Sequence, residues 1–89
     1  MSPAIPMRKM ILYTTDGCHL CDLAIEAVEQ SCIAIDLIEV DITSDKQLVE
    51  LYGIRIPVIK DRQTGKEIGW PFNDVSFSQW YESLANSRG

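Results

Sequence analysis

"YTTDGCHLCDLAIEAVEQ", residues 13–30, passes from a β-prone run into a helical one across two closely spaced cysteines. Upstream, "KMILYTT" (Lys9–Thr15) is almost continuously apolar in its middle, the pattern of a strand buried on both faces. Downstream, Leu20, Leu23, Ala24, Ala27 and Val28 recur at i, i+3, i+4, i+7 and i+8, with Asp22, Glu26 and Glu29 off that stripe. The spacing predicts a helix from about Cys18 to about Gln30. Gly17 permits a sharp turn between the two elements. Cys18 then falls at the start of the helix and Cys21 one turn further in, on the same side.

Outward from this stretch, "AIDLIEVDIT" (Ala34–Thr43) is rich in β-branched residues and reads as a second strand. In "SDKQLVELYG", Ser44 and Gln47 have capping-box spacing. Leu48, Leu51 and Tyr52 give a short apolar stripe, and Gly53 is placed to close the helix in a left-handed conformation. "IPVIKD" is a third strand starting at Pro57, and Lys66–Gly69 a fourth, joined by a turn around Thr64-Gly65. Ser76 and Gln79 repeat the capping-box spacing before a last helix with Phe77, Trp80, Tyr81 and Leu84 as its stripe.

The order is β-α-β-α-β-β-α, an α/β pattern. The first unit implies two parallel strands with a right-handed crossover, and the hairpin adds two antiparallel ones. One domain over residues 9–86 accounts for this, with residues 1–8 as a flexible lead-in and 87–89 as a tail.

The chain has 89 residues, 46% of them apolar, and a net charge of −5. That composition suits a globular core and argues against nucleic acid or an anionic membrane as partner. No apolar stretch approaches the roughly 20 residues that span a bilayer, and "MSPAIPMRKM" lacks the apolar core of a signal peptide. A cytoplasmic monomer is expected. Thiols there rest reduced, so a close cysteine pair points to catalysis or metal binding rather than a structural staple.

A thiol reacts as its thiolate, and a helix N-terminus favours that form. Cys18 is placed for this, and a lowered pKa is expected for it. Cys18 would attack a disulfide, and Cys21, the more buried thiol, would resolve the mixed disulfide. His19, if protonated, would favour the Cys18 thiolate, while Asp16 and Asp22 would oppose it. A zinc site usually needs four ligands. The nitrogen and sulfur candidates are Cys18, His19, Cys21 and Cys32. Cys32 lies about three helical turns on, pointing away from the pair, and reads as a small apolar residue. An iron–sulfur cluster or metal carrier using the same cysteines remains the alternative, and a bare interaction domain a third reading. Trp70 and Phe72 admit two roles, an exposed docking patch or a cover over the end of the sheet, with the cover preferred.

"LYTTDGCHLCDLA", followed by a βα pattern and then "LYGIRIPVI", resembles the glutaredoxin-like branch of the thioredoxin fold, small bacterial glutaredoxin-like proteins in particular. The resemblance covers residues 8–86. It implies a four-stranded mixed sheet flanked by helices and a thiol-disulfide oxidoreductase working through Cys-x-x-Cys exchange. Cys18 would be the nucleophile and Cys21 the resolving thiol. Ile56 and Pro57 would form the substrate platform, with a cis Pro57 facing the cysteines and holding the Ile56 backbone ready for an extended substrate. Tyr13 matches an aromatic position of the family. The implied partners are a protein or low-molecular-weight disulfide, with glutathione or a reductase as reductant, and no cofactor or metal. The chain departs from well-known glutaredoxins at three places. His19-Leu20 replaces Pro-Tyr between the cysteines. Thr14, Thr15 and Asp16 stand where a lysine would hold a glutathione carboxylate. "GWPFNDVS" replaces the Gly-Gly step and its amino-end grip, of which Gly69 and Asp74 are the remnants.

Overall fold

The computed structural model describes residues 8–85. Strand β1 (Arg8–Thr14) leads through a tight turn into helix α1 (His19–Gln30) and returns as β2 (Ile35–Asp41). A 3₁₀ turn (Ile42–Ser44) precedes helix α2 (Lys46–Tyr52). Strands β3 (Val58–Asp61) and β4 (Glu67–Gly69) and helix α3 (Asp74–Ala85) complete the chain. The sheet order is β2-β1-β3-β4. β1 and β2 are parallel, with Leu12 opposite Glu39 and Thr14 opposite Asp41. β3 runs antiparallel to both β1 and β4.

Alternation along β1 divides the core between the two sheet faces. Met10 and Leu12 join Ile59, Ala24, Ala27, Val28, Phe77 and Leu84 beneath α1 and α3. Tyr13 and Val58 pack on the other face with Ile42 and Tyr52, under α2. The result is a sheet covered by helices on both faces, the expected α/β layering.

Several local readings change. Arg8, expected in the lead-in, is the first residue of β1, and its guanidinium grips the Asp61 carboxylate with two hydrogen bonds of 2.8 Å. Residues 1–7 of the expected lead-in and the tail at 87–89 lie outside the described residues. In α1 the buried stripe is Cys21, Ala24, Ala27 and Val28. Leu20 is 44% exposed, because burying Cys21 turns its neighbour outward. Asp45, not Ser44, caps α2, accepting from the Gln47 N–H, since Ser44 is taken into the 3₁₀ turn. In so short a helix only Leu48 and Tyr52, one turn apart, reach the sheet, and Leu51 is exposed.

Gly53 is right-handed rather than left-handed, and a Cβ there would lie 2.5 Å from the Val49 carbonyl oxygen. Close backbone approach, not φ, requires glycine at this position. Asn73 caps α3 and Ser76 is its reciprocal partner. Ser76 N–H donates to Asn73 Oδ1 and Asn73 N–H to Ser76 Oγ, each at 2.8 Å. The capping pair therefore sits one turn earlier than its spacing in sequence suggested. Cys32 is exposed, with a left-handed φ of 60°, because it follows the helix C-cap where the chain reverses. Trp70 and Phe72 pack edge-to-face, centroids 5.3 Å apart, and join the core under α3, so the covering role holds.

Candidate functional site

The C-terminal end of β1 builds the site. Cys18 N–H donates to the Thr15 carbonyl, closing a turn in which Gly17 takes φ 75°, a left-handed value that a side chain would strain. Cys18 is then the N-cap of α1, and its sulfur accepts the Cys21 N–H at 3.2 Å. That N–H is one of the unpaired donors of the helix start, and it interacts more strongly with a thiolate than with a thiol. Cys18 and Cys21 are joined as a disulfide with Cα atoms 5.3 Å apart. Cys18 is half-buried and Cys21 is 3% exposed. The outer sulfur is therefore open to a partner, while the inner one is approached through Cys18.

Val58 pairs with Tyr13, so Pro57 lies level with Thr14, at the end of β1 that feeds the cysteine turn. The Ile56–Pro57 bond is cis and Pro57 is fully buried. Its carbonyl accepts the Trp70 N–H at 3.1 Å. The Ile56 N–H donates to the Tyr52 carbonyl at 3.1 Å, so that this N–H is engaged within the chain. The loop leading to Ile56 is anchored by Tyr52, which stacks on Tyr13 with centroids 4.1 Å apart and donates its hydroxyl to Glu67. Arg55 binds the other oxygen of Glu67 at 2.9 Å. Burial and the Glu67 hydrogen bond push the Tyr52 phenol upward in pKa, so it remains a donor. The Trp70–Pro71 bond is also cis, a feature the sequence reading did not anticipate.

A cavity of about 510 Å³ opens beside the disulfide. Cys18 and Cys21 line it with His19 and the carboxylates of Asp16, Asp22, Glu39 and Asp41. Glu39 and Asp41 were missed in the sequence. A signal for them existed: in a parallel β-α-β unit the C-terminal ends of both strands lie at one edge, where α/β proteins bind ligands. The Thr43 hydroxyl and backbone N–H donate to Asp41 at 2.7 and 2.9 Å and hold its carboxyl below the usual range. His19 and Asp16, the expected tuning residues, are both exposed on the rim. Among the described residues no three His, Cys, Asp or Glu side chains gather as a metal site, so the carrier alternative gains no support from side-chain placement.

Residues 9–81 match the Glutaredoxin-like domain (DUF836) family. Two solved structures of target protein XcR50 from X. campestris, one by X-ray and one in solution, share 38% identity with the chain. The X-ray structure has a TM-score of 0.77, with 83% of this chain and 96% of that one covered. The solution structure of Ne2328 from Nitrosomonas europaea shares 28% identity at a TM-score of 0.63, covering 91% and 98% of the two chains. Thioredoxin 1 from Thermosipho africanus, at 14% identity and a TM-score of 0.57, covers 89% and 99% and shares the fold. No curated protein matches. A sheet of this order, a cysteine pair at disulfide distance on a helix start, and a family match across most of the chain fit a thiol redox role, and the chain belongs to the glutaredoxin-like domain family.

Proposed function

We propose that the protein is a thiol-disulfide oxidoreductase that exchanges disulfides through Cys18 and Cys21. The observation that carries this reading is the N-cap position of Cys18, whose sulfur takes the Cys21 N–H while Cys21 itself lies behind it. In the reduced protein the Cys18 thiolate attacks one sulfur of a substrate disulfide. A mixed disulfide forms and the first substrate thiolate leaves, taking a proton from water. The Cys21 thiolate then attacks Cys18 Sγ, the second substrate thiol departs, and the Cys18–Cys21 bond closes. Two electrons pass from the protein to the substrate. A reductase or glutathione restores the dithiol, in a reducing compartment such as the cytoplasm.

Ile56 and cis Pro57 support the approach of an extended substrate at the same sheet edge. Asp16 and His19 on the rim act on the Cys18 thiolate through charge. The test is reduction of a protein disulfide and of a glutathione mixed disulfide by wild type, Cys18→Ser and Cys21→Ser. Wild type should turn over at least one substrate and Cys18→Ser neither. Cys21→Ser should accumulate a covalent adduct at Cys18, seen as added mass. Full activity in Cys18→Ser, or an inert wild type, overturns the reading. A brown anaerobic preparation with sulfide-dependent absorbance would favour a cluster carrier instead.

A further inference from the structure

Apart from His19 on its rim, the cavity beside the disulfide is lined by side chains of one charge sign. Asp16 comes from the turn after β1, Asp22 from the first turn of α1, and Glu39 and Asp41 from the end of β2. No Lys or Arg stands among its lining residues. The two ion pairs found among the described residues, Arg8–Asp61 and Arg55–Glu67, involve none of these four carboxylates. All four are exposed side chains of the same sign around one opening, so their fields add. A concave site lined by one sign concentrates ligands of the opposite sign and raises their association rate, most at low ionic strength.

What makes this a site is the cysteine pair; the carboxylates determine which partners reach it. Resting on the redox reading above, we propose that the substrate is a disulfide in a cationic protein segment, with Lys or Arg beside the reacting cysteine, drawn to Cys18 by Asp16, Asp22, Glu39 and Asp41. Glutathione, net negative at neutral pH, meets a field of its own sign in this cavity. Thr14, Thr15 and Asp16 at the cavity offer no positive charge to hold its carboxylates.

The electron balance is that of the exchange already described. The protein dithiol loses two electrons and two protons, and the peptide disulfide gains them, leaving as two peptide thiols. A single-turnover experiment therefore needs no second reductant. The pre-reduced protein is mixed with three cyclic peptide disulfides alike except for flanking Lys, Ser or Glu, and with oxidised glutathione. The rate constant for formation of Cys18–Cys21 is then followed. The Lys peptide should react about tenfold or more faster than the Glu peptide at low salt, with the Ser peptide between and glutathione slow. At about 0.5 M salt the ratio should fall toward one, as screening shortens the reach of these exposed charges.

In Glu39→Gln, and further in Glu39→Gln with Asp22→Asn, the Lys-to-Glu ratio should narrow. Asp41 is left intact because it caps the 3₁₀ turn. Equal rates for the three peptides, a ratio indifferent to salt, or a faster Glu peptide overturns the charge assignment while leaving the redox reading standing. No reaction with any peptide or with glutathione overturns the redox reading itself. The wild-type charge series and its salt dependence decide the matter even if a variant folds poorly.

Discussion

At its first residue, β1 extends Arg8 across the sheet to Asp61, a carboxylate with no exposure, which also takes the Thr64 N–H and hydroxyl at 3.0 and 2.7 Å. Six residues later the same strand ends among Asp16, Asp22, Glu39 and Asp41, four exposed carboxylates without an ion-pair partner among the described residues. One end buries a charge and surrounds it with donors; the other leaves four charges in water around one cavity. A buried charge is tolerated only when paired and hydrogen-bonded. Exposed ones cost little where they stand and act over distance, up to about 10 Å at 0.1 M salt. The first end holds the sheet together. The second shapes what approaches the cysteines.

The largest effect belongs to the buried end. The Arg8 side chain is 20% exposed and that of Asp61 is 0% exposed, so the partners are not equivalent. Arg8→Met leaves a buried carboxylate with only the Thr64 donors. It should cost about 3–5 kcal/mol and lower the thermal midpoint by at least about 12 °C. Asp61→Asn leaves a guanidinium that can turn toward water and keeps an acceptor for Thr64. It should cost less, about 1–3 kcal/mol. Urea unfolding of both variants gives the order. If Asp61→Asn is the worse of the two, burial of the carboxylate is not what makes this end costly.

Acid unfolding sharpens the same point. The Arg8 hydrogen bonds, helped by Thr64 and opposed by burial, hold Asp61 down to about 2, against an ordinary 3.8. A carboxylate whose folded pKa is depressed stabilises the fold fully above its unfolded value and loses that contribution as pH falls through the folded one. The window runs from about pH 4 to about pH 2, and the contribution is about 2 kcal/mol. Wild type should therefore lose about 2 kcal/mol more across this window than Asp61→Asn does, measured as urea midpoints at pH 5, 4, 3 and 2. Parallel curves would remove Asp61 as the group responsible.

Neither end was fully legible in the sequence, for reasons of distance along the chain. Elements came through where the signal is local: the 3.6-residue stripe of α1, the turn at Gly17, the hairpin between β3 and β4. The cysteine pair was legible for the same reason, since its chemistry depends on a turn and a helix start encoded in consecutive residues. Arg8 and Asp61 are 53 residues apart, and nothing near Arg8 distinguishes a strand residue from a lead-in. Glu39 and Asp41 are ordinary polar positions of an edge strand until the parallel register sets them beside the end of β1. Local errors had a different cause. Capping spacings recur by chance, so Ser44 and Ser76 both looked like caps. The competition was settled by which residue the preceding chain could orient, Asp45 and Asn73.

The smallest expected effect tests the open end. Glu39 is exposed on β2, and no ion pair among the described residues includes it. The other carboxylates that line the cavity have its own sign. Glu39→Gln keeps the shape and removes the charge. A carboxylate that contributes cohesion would cost stability when neutralised; one held among like charges relieves repulsion when neutralised. Stability should therefore rise slightly, by up to about 0.5 kcal/mol at low ionic strength, and the gain should vanish in high salt because exposed charges are screened. The sign is opposite to that at Asp61, although both changes replace a carboxylate by its amide on the same sheet. Urea unfolding at two salt concentrations reads it directly. A loss of more than about 1 kcal/mol would mean that Glu39 is held as Asp61 is, and the two ends of β1 would then differ in exposure alone.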